Sequence, residues 1–89
     1  MTTDPEPSGT ELVERTKQAQ AESRRLREQV ADVAEMTALV EEELAEVHEA
    51  IAAQGGPLAE QAREHAARAR EIAAKERDEA ERRRRGEPG

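Results

Sequence analysis

A chain of 89 residues with 21 Asp and Glu against 14 Lys and Arg carries a formal charge of −7, a balance that favours solubility and disfavours a general affinity for nucleic acid or anionic membranes. It has no Cys, Trp, Tyr or Phe, which excludes disulfides, thiolate metal sites, thiol nucleophiles and aromatic base-stacking platforms. One small domain at most is affordable at this length, and a chain that is 39% charged with Leu, Val, Ile, Met and Ala as its apolar stock forms long helices if those positions are periodic and stays disordered if they are not.

Residues 1–8 hold Asp-Pro and Glu-Pro steps without apolar periodicity and read as a disordered tail. This stretch has neither the basic nor the apolar region of a signal peptide. The longest run without a charge, Ala50 to Ala59, is ten residues interrupted by Gly-Gly-Pro, too short and broken for a transmembrane segment, so a cytoplasmic location is expected. Ser8-Gly9-Thr10-Glu11 fits a capping box, in which the hydroxyl accepts from an orphan backbone N–H and the glutamate reaches back. A first helix is therefore expected over 9–54.

From Leu12 onward, small and apolar residues follow alternating steps of four and three: Leu12, Thr16, Ala19, Ser23, Leu26, Val30, Val33, Thr37, Val40, Leu44, Val47, Ile51. Only a helix with a 3.5-residue seam gathers these on one side, and heptads sustained this long predict packing against another helix. Before Leu26 the seam is weak; after it, the seam is mostly Val, Leu and Ile.

Gly55 can supply the left-handed residue that ends a helix, and Pro57 suits the first turn of the next. The turn is placed at 55–56 and the second helix at 57–85, with 87–89 a second disordered tail. The pairs Glu64 to Arg68, Glu71 to Lys75, Asp78 to Arg82, Glu79 to Arg83 and Glu81 to Arg85 each favour that helix by about 0.3 kcal/mol, and its cationic end complements the helix dipole.

Charge predicts that the turn closes a hairpin. Glu28 to Glu49 contains eight acids and no Lys or Arg, whereas Glu60 to Arg85 has nine basic residues against seven acids, so folding back lays a basic helix along an acidic one. The resulting fold class is all-α, two long helices in an antiparallel coiled-coil hairpin. The register considered first sets Leu58 near Ile51, Ala62 near Val47, His65 near Leu44, Ala69 near Val40 and Ile72 near Thr37, with Arg68 beside Glu43. A competing seam, Ala59, Ala62, Ala66, Ala69, Ala73 and Ala80, lies one residue around the second helix. The expected helix–helix interface thus comprises Leu26, Val30, Val33, Val40, Leu44, Val47 and Ile51 with Leu58, Ala62, Ala66, Ala69 and Ile72. Leu58 and Ile72 are the second helix's only large apolar side chains, each worth about 2–3 kcal/mol if fully buried, so a second molecule is expected to complete the structure: a dimer of hairpins or another helical protein.

His48 and His65 both fall near Leu44 in that register, yet Ala45 and Ala62 stand three residues before them, where a Glu-x-x-His metal site places its carboxylates. They are read as ordinary flank residues, and no metal or cofactor is expected. His48-Glu49 resembles the phospho-acceptor pair of histidine-kinase dimerisation hairpins over two residues only; Ala50-Ile51 then departs from that pattern. Arg82, Arg83, Arg84 and Arg85 would lie near Arg24, Arg25 and Arg27 at one end of the hairpin, where seven arginines could attract nucleic acid, lipid headgroups or an acidic protein segment. With no phosphate loop and no converging Ser-His-acid set, catalysis is not expected. The sequence points to a small self-associating coiled-coil module for protein interaction or scaffolding, with anionic-partner binding through the arginine end as the alternative.

Overall fold

A computed structural model describes residues 8–87. Two helices, α1 (Gly9–Ala53) and α2 (Ala59–Arg84), run antiparallel and pack on each other as an all-α hairpin. The expected tails fall outside the described residues except for Ser8 and Glu87. Ser8 is extended and its Oγ accepts the Glu11 amide at 3.2 Å, satisfying one orphan donor of the first turn. With no Gly or Pro from Thr10 to Ala53, α1 continues for 45 residues, about 68 Å at ~1.5 Å per residue.

Two consecutive left-handed glycines reverse the chain, Gly55 at φ +73° and Gly56 at φ +87°, a conformation that strains any residue with a Cβ. The reversal keeps Pro57 and Leu58 in the turn, so α2 begins at Ala59, later than Pro57, and the Ala59 amide donates to the Gly56 carbonyl at 3.2 Å. At the far end Gly86 is left-handed, and the Gly86 and Glu87 amides donate to the Arg83 and Arg82 carbonyls, both at 3.0 Å. This pair of bonds closes α2 as a Schellman motif.

The contact between the helices is made of alanine. Among the described residues every buried one is an alanine: Ala31, Ala34, Ala38, Ala45 and Ala52 on α1, and Ala59, Ala62, Ala66, Ala69, Ala73 and Ala80 on α2. Ala31, Ala38, Ala45 and Ala52 recur every seven residues, and so do Ala59, Ala66, Ala73 and Ala80. Ala31 and Ala34 cluster with Ala80, and Ala45 clusters with Ala66 and Ala69, which sets the register and carries Ala38 opposite Ala73 and Ala52 opposite Ala59. Each buried methyl contributes about 0.8 kcal/mol; its small size also lets the two backbones approach closely.

The lengthwise alignment stays close to the one expected, with Ile51 beside Leu58 and Leu44 beside His65 and Ile72, but the face of α1 that is buried differs. Leu26, Val30, Val33, Val40, Leu44, Val47 and Ile51 lie outside the buried seam, and Leu58 and Ile72 are not buried by it; all of them are exposed. The alanine seam of α2 is the one used, and it meets alanines of α1 rather than the Val and Leu row. The cause is complementarity: α2 has only Ile72, with Leu58 at its cap, as large apolar residues to offer and a complete alanine heptad, and α1 carries a matching alanine heptad one face away.

Because Ala80 lies level with Ala31 and α2 ends only four residues later, the stretch of α1 from Gly9 to about Leu26 extends past the end of α2. None of its residues is buried. This overhang measures about 27 Å at ~1.5 Å per residue.

Candidate interaction surface

The alanine seam divides the hairpin into two unlike flanks. On one, Glu28, Glu35, Glu42 and Glu49 recur every seven residues along α1, as do Arg70, Arg77 and Arg84 along α2. Arg70 pairs with Glu49 through both its Nε and Nη2. Arg77 donates from Nε and Nη2 to Glu42 Oε1 at 2.9 and 2.6 Å. Arg84 closes the ladder by gathering Glu35, Asp32 at 2.9 Å and Glu28 at 3.4 Å. Short alanine spacing is what allows these forked side chains to reach across. The hydrogen bond from Arg84 holds the Glu35 carboxyl below the usual glutamate range, while the Glu35 and Asp32 carboxylates raise Arg84 further. Glu49 raises Arg70 in the same way. The eight-acid segment therefore obtains the cationic neighbour that its charge demanded.

On the opposite flank the large apolar side chains are exposed. The row Leu26, Val33, Val40, Val47 and the row Val30, Thr37, Leu44, Ile51 run side by side along α1, with Val33 65% and Leu44 44% exposed. Leu58 and Ile72 extend this face onto α2, at 61% and 37% exposure. Both threonines of the seam bond back to their own helix: the Thr16 hydroxyl donates to the Leu12 carbonyl at 2.9 Å and the Thr37 hydroxyl to the Val33 carbonyl at 3.0 Å. Back-bonding of this kind satisfies the two hydroxyl donors within the helix. A face this large and continuous is a feature of interaction surfaces.

His48 and His65 do meet. Their rings stack across the two helices with centroids 5.1 Å apart and planes inclined by 22°, and they line a shallow depression with Leu44 and Ile72 on the apolar flank. Stacked faces do not direct two ring nitrogens to one point, and no group of three or more His, Asp or Glu positioned for a metal occurs among the described residues.

At the arginine end, Arg82 lies 3.2 Å from Asp78, Arg83 bonds Glu79 at 2.8 Å, Arg84 belongs to the ladder and Arg85 lies 3.6 Å from Glu87. Arg27 comes alongside Gly86, so the two arginine groups share one end of the hairpin. Arg82, Arg83, Arg84 and Arg85 are each engaged by a carboxylate of the chain itself, whereas Arg24, Arg25 and Arg27 have no ion pair among the described residues.

The missed signal was the pair of matched sevenfold repeats, alanine on alanine and glutamate on arginine, which the larger side chains of the Val and Leu row overshadowed. No helix among the described residues is long and apolar enough to cross a membrane. No family model matches the chain, and neither the curated proteins nor the solved structures contain a match to it.

Proposed function

We propose that the chain is a non-catalytic protein-interaction or scaffolding module that self-associates through the apolar flank of α1. The observation that carries this reading is the heptad row from Leu26 to Ile51, exposed along its whole length while α2 packs elsewhere. Heptad spacing suits a helical occupant, and a second copy supplies a seam of the same pitch. Burying the row against the matching seam of a second copy removes Val, Leu and Ile side chains from water, each worth about 1.5–3 kcal/mol when burial is complete. The alanine contact contains no side chain of that size, so association adds the large apolar burial that the hairpin lacks.

Sedimentation across a concentration series, alongside circular dichroism, tests the reading. The parent chain is expected to dimerise, and Val40→Glu with Leu44→Glu is expected to give a monomer of equal helicity, because neither residue holds the hairpin together. A parent chain that stays monomeric at every concentration would retire self-association and leave the face to a different helical protein.

A further inference from the structure

Resting on that reading of the apolar flank, we infer that its occupant is the α1 overhang of a second copy, docked antiparallel, so that each copy lends a third helix to the other's hairpin. Three observations converge on this arrangement.

The first is the continuity of the seam. The same pitch that places Val40, Leu44 and Val47 on the flank continues through Leu12, Thr16, Ala19 and Ser23 on the overhang. On the overhang the seam is mostly small, with Thr16, Ala19 and Ser23 between Leu12 and Leu26, and in the paired region it is mostly large. An antiparallel alignment with full overlap sets Ala19 opposite Leu44, Thr16 opposite Val47 and Ser23 opposite Val40, so small side chains meet large ones at these three layers, and Leu12 meets Ile51 beyond them.

The second is charge. From Gly9 to Arg27, α1 holds five basic residues and three acids; from Glu28 to Ala53 it holds eight acids and no Lys or Arg. Antiparallel docking brings the positive half of one copy onto the negative half of the other. Parallel docking would stack the two acidic halves, and like charges across a helix interface oppose association. Beside the seam, Glu41 and Glu43 in the acidic half and Arg15 and Arg27 in the basic half make no ion pair among the described residues, which places opposite charges along the two halves that antiparallel docking brings together.

The third is the overhang itself. It is the end of α1 that α2 does not reach, none of its residues is buried, and helical stability in proteins comes mostly from packing of an apolar face. Laid along Leu44, Ile51, Leu58 and Ile72 of a second copy, it gains the apolar neighbour that its own α2 is too short to provide.

The chain has no cysteine, so engineered thiols report the alignment directly. Full-length Ala19→Cys and Leu44→Cys are prepared separately, with tags of different mass, and oxidised alone and as a mixture. The antiparallel dimer predicts a mixed disulfide between the two variants and none within either, because sites 25 residues apart on one helix lie about 37 Å apart at ~1.5 Å per residue. Disulfides within each variant alone would establish parallel docking and overturn the proposal, as would a dimeric protein that forms no disulfide in either test. A chain that sediments as a monomer fails at the earlier step, self-association itself.

Discussion

α1 presents two heptad rows that differ in what lies across from them. The alanine row at Ala31, Ala38, Ala45 and Ala52 is buried against an equal row of α2, whereas the row through Val33, Val40 and Val47 is apolar enough to drive packing and faces outward. Hydrophobic strength alone does not choose the face that closes a hairpin. Close approach chooses it, because two alanine surfaces let the helices come near enough for Arg70, Arg77 and Arg84 to reach their carboxylates. The stronger row then remains for a partner that can match it.

Substituting across the two rows gives the largest expected difference. Ala45→Leu forces a bulky side chain into the closest part of the contact, and overpacking of this kind costs about 1–3 kcal/mol. Leu44→Ala, its neighbour in sequence, is exposed in the hairpin and is expected to change the monomer's stability by less than about 0.5 kcal/mol while weakening self-association. Denaturant unfolding at low protein concentration separates the two effects, since association stabilises by mass action. Equal losses for both variants would show that the rows are not distinct.

A smaller effect is expected at the turn that holds the rows in register. Gly55→Ala introduces a Cβ at φ +73°, which costs about 1–2 kcal/mol without removing any contact between the helices. The alanine contacts should therefore persist in the folded variant, and a shift in their register would show that the turn, rather than the alanine seam, sets the alignment.

The smallest effect belongs to the ionic flank. Glu35 is held below the ordinary glutamate range by Arg84, so its folded-state pKa lies below its unfolded one. The stabilisation from this rung is accordingly present above the unfolded value and is lost as pH falls through the lowered one. Arg84→Gln should return the Glu35 titration, followed by carboxyl-carbon NMR, to the ordinary range and remove this part of the acid sensitivity. An unchanged titration would mean that the rung does not form in solution.

Much of this fold is legible in the sequence because its signals are local or cumulative. Ser8 caps, Gly55 and Gly56 turn, and the charge difference between Glu28–Glu49 and Glu60–Arg85 calls for a hairpin. The contact face was less legible, because the usual reading gives priority to the seam with the largest side chains, and on α1 that seam is the Val and Leu row. What decides the outcome is the other helix: α2 offers Leu58 and Ile72 against a complete alanine heptad, so the match, and not the size, selects the contact. The proximity of His48 and His65 was legible, since the expected register sets both near Leu44; their stacking follows from the packing.

The division of α1 into an inward alanine row and an outward Val and Leu row is tested most directly by methyl NMR on the dilute full-length chain. The account predicts cross-relaxation between the Ala45 and Ala66 methyls and between those of Ala31 and Ala80, with none from Val40 or Val47 to any alanine of α2. Contacts from Val40 to Ala69 and from Val47 to Ala62, with none between Ala45 and Ala66, would contradict it and place the larger row inside the hairpin.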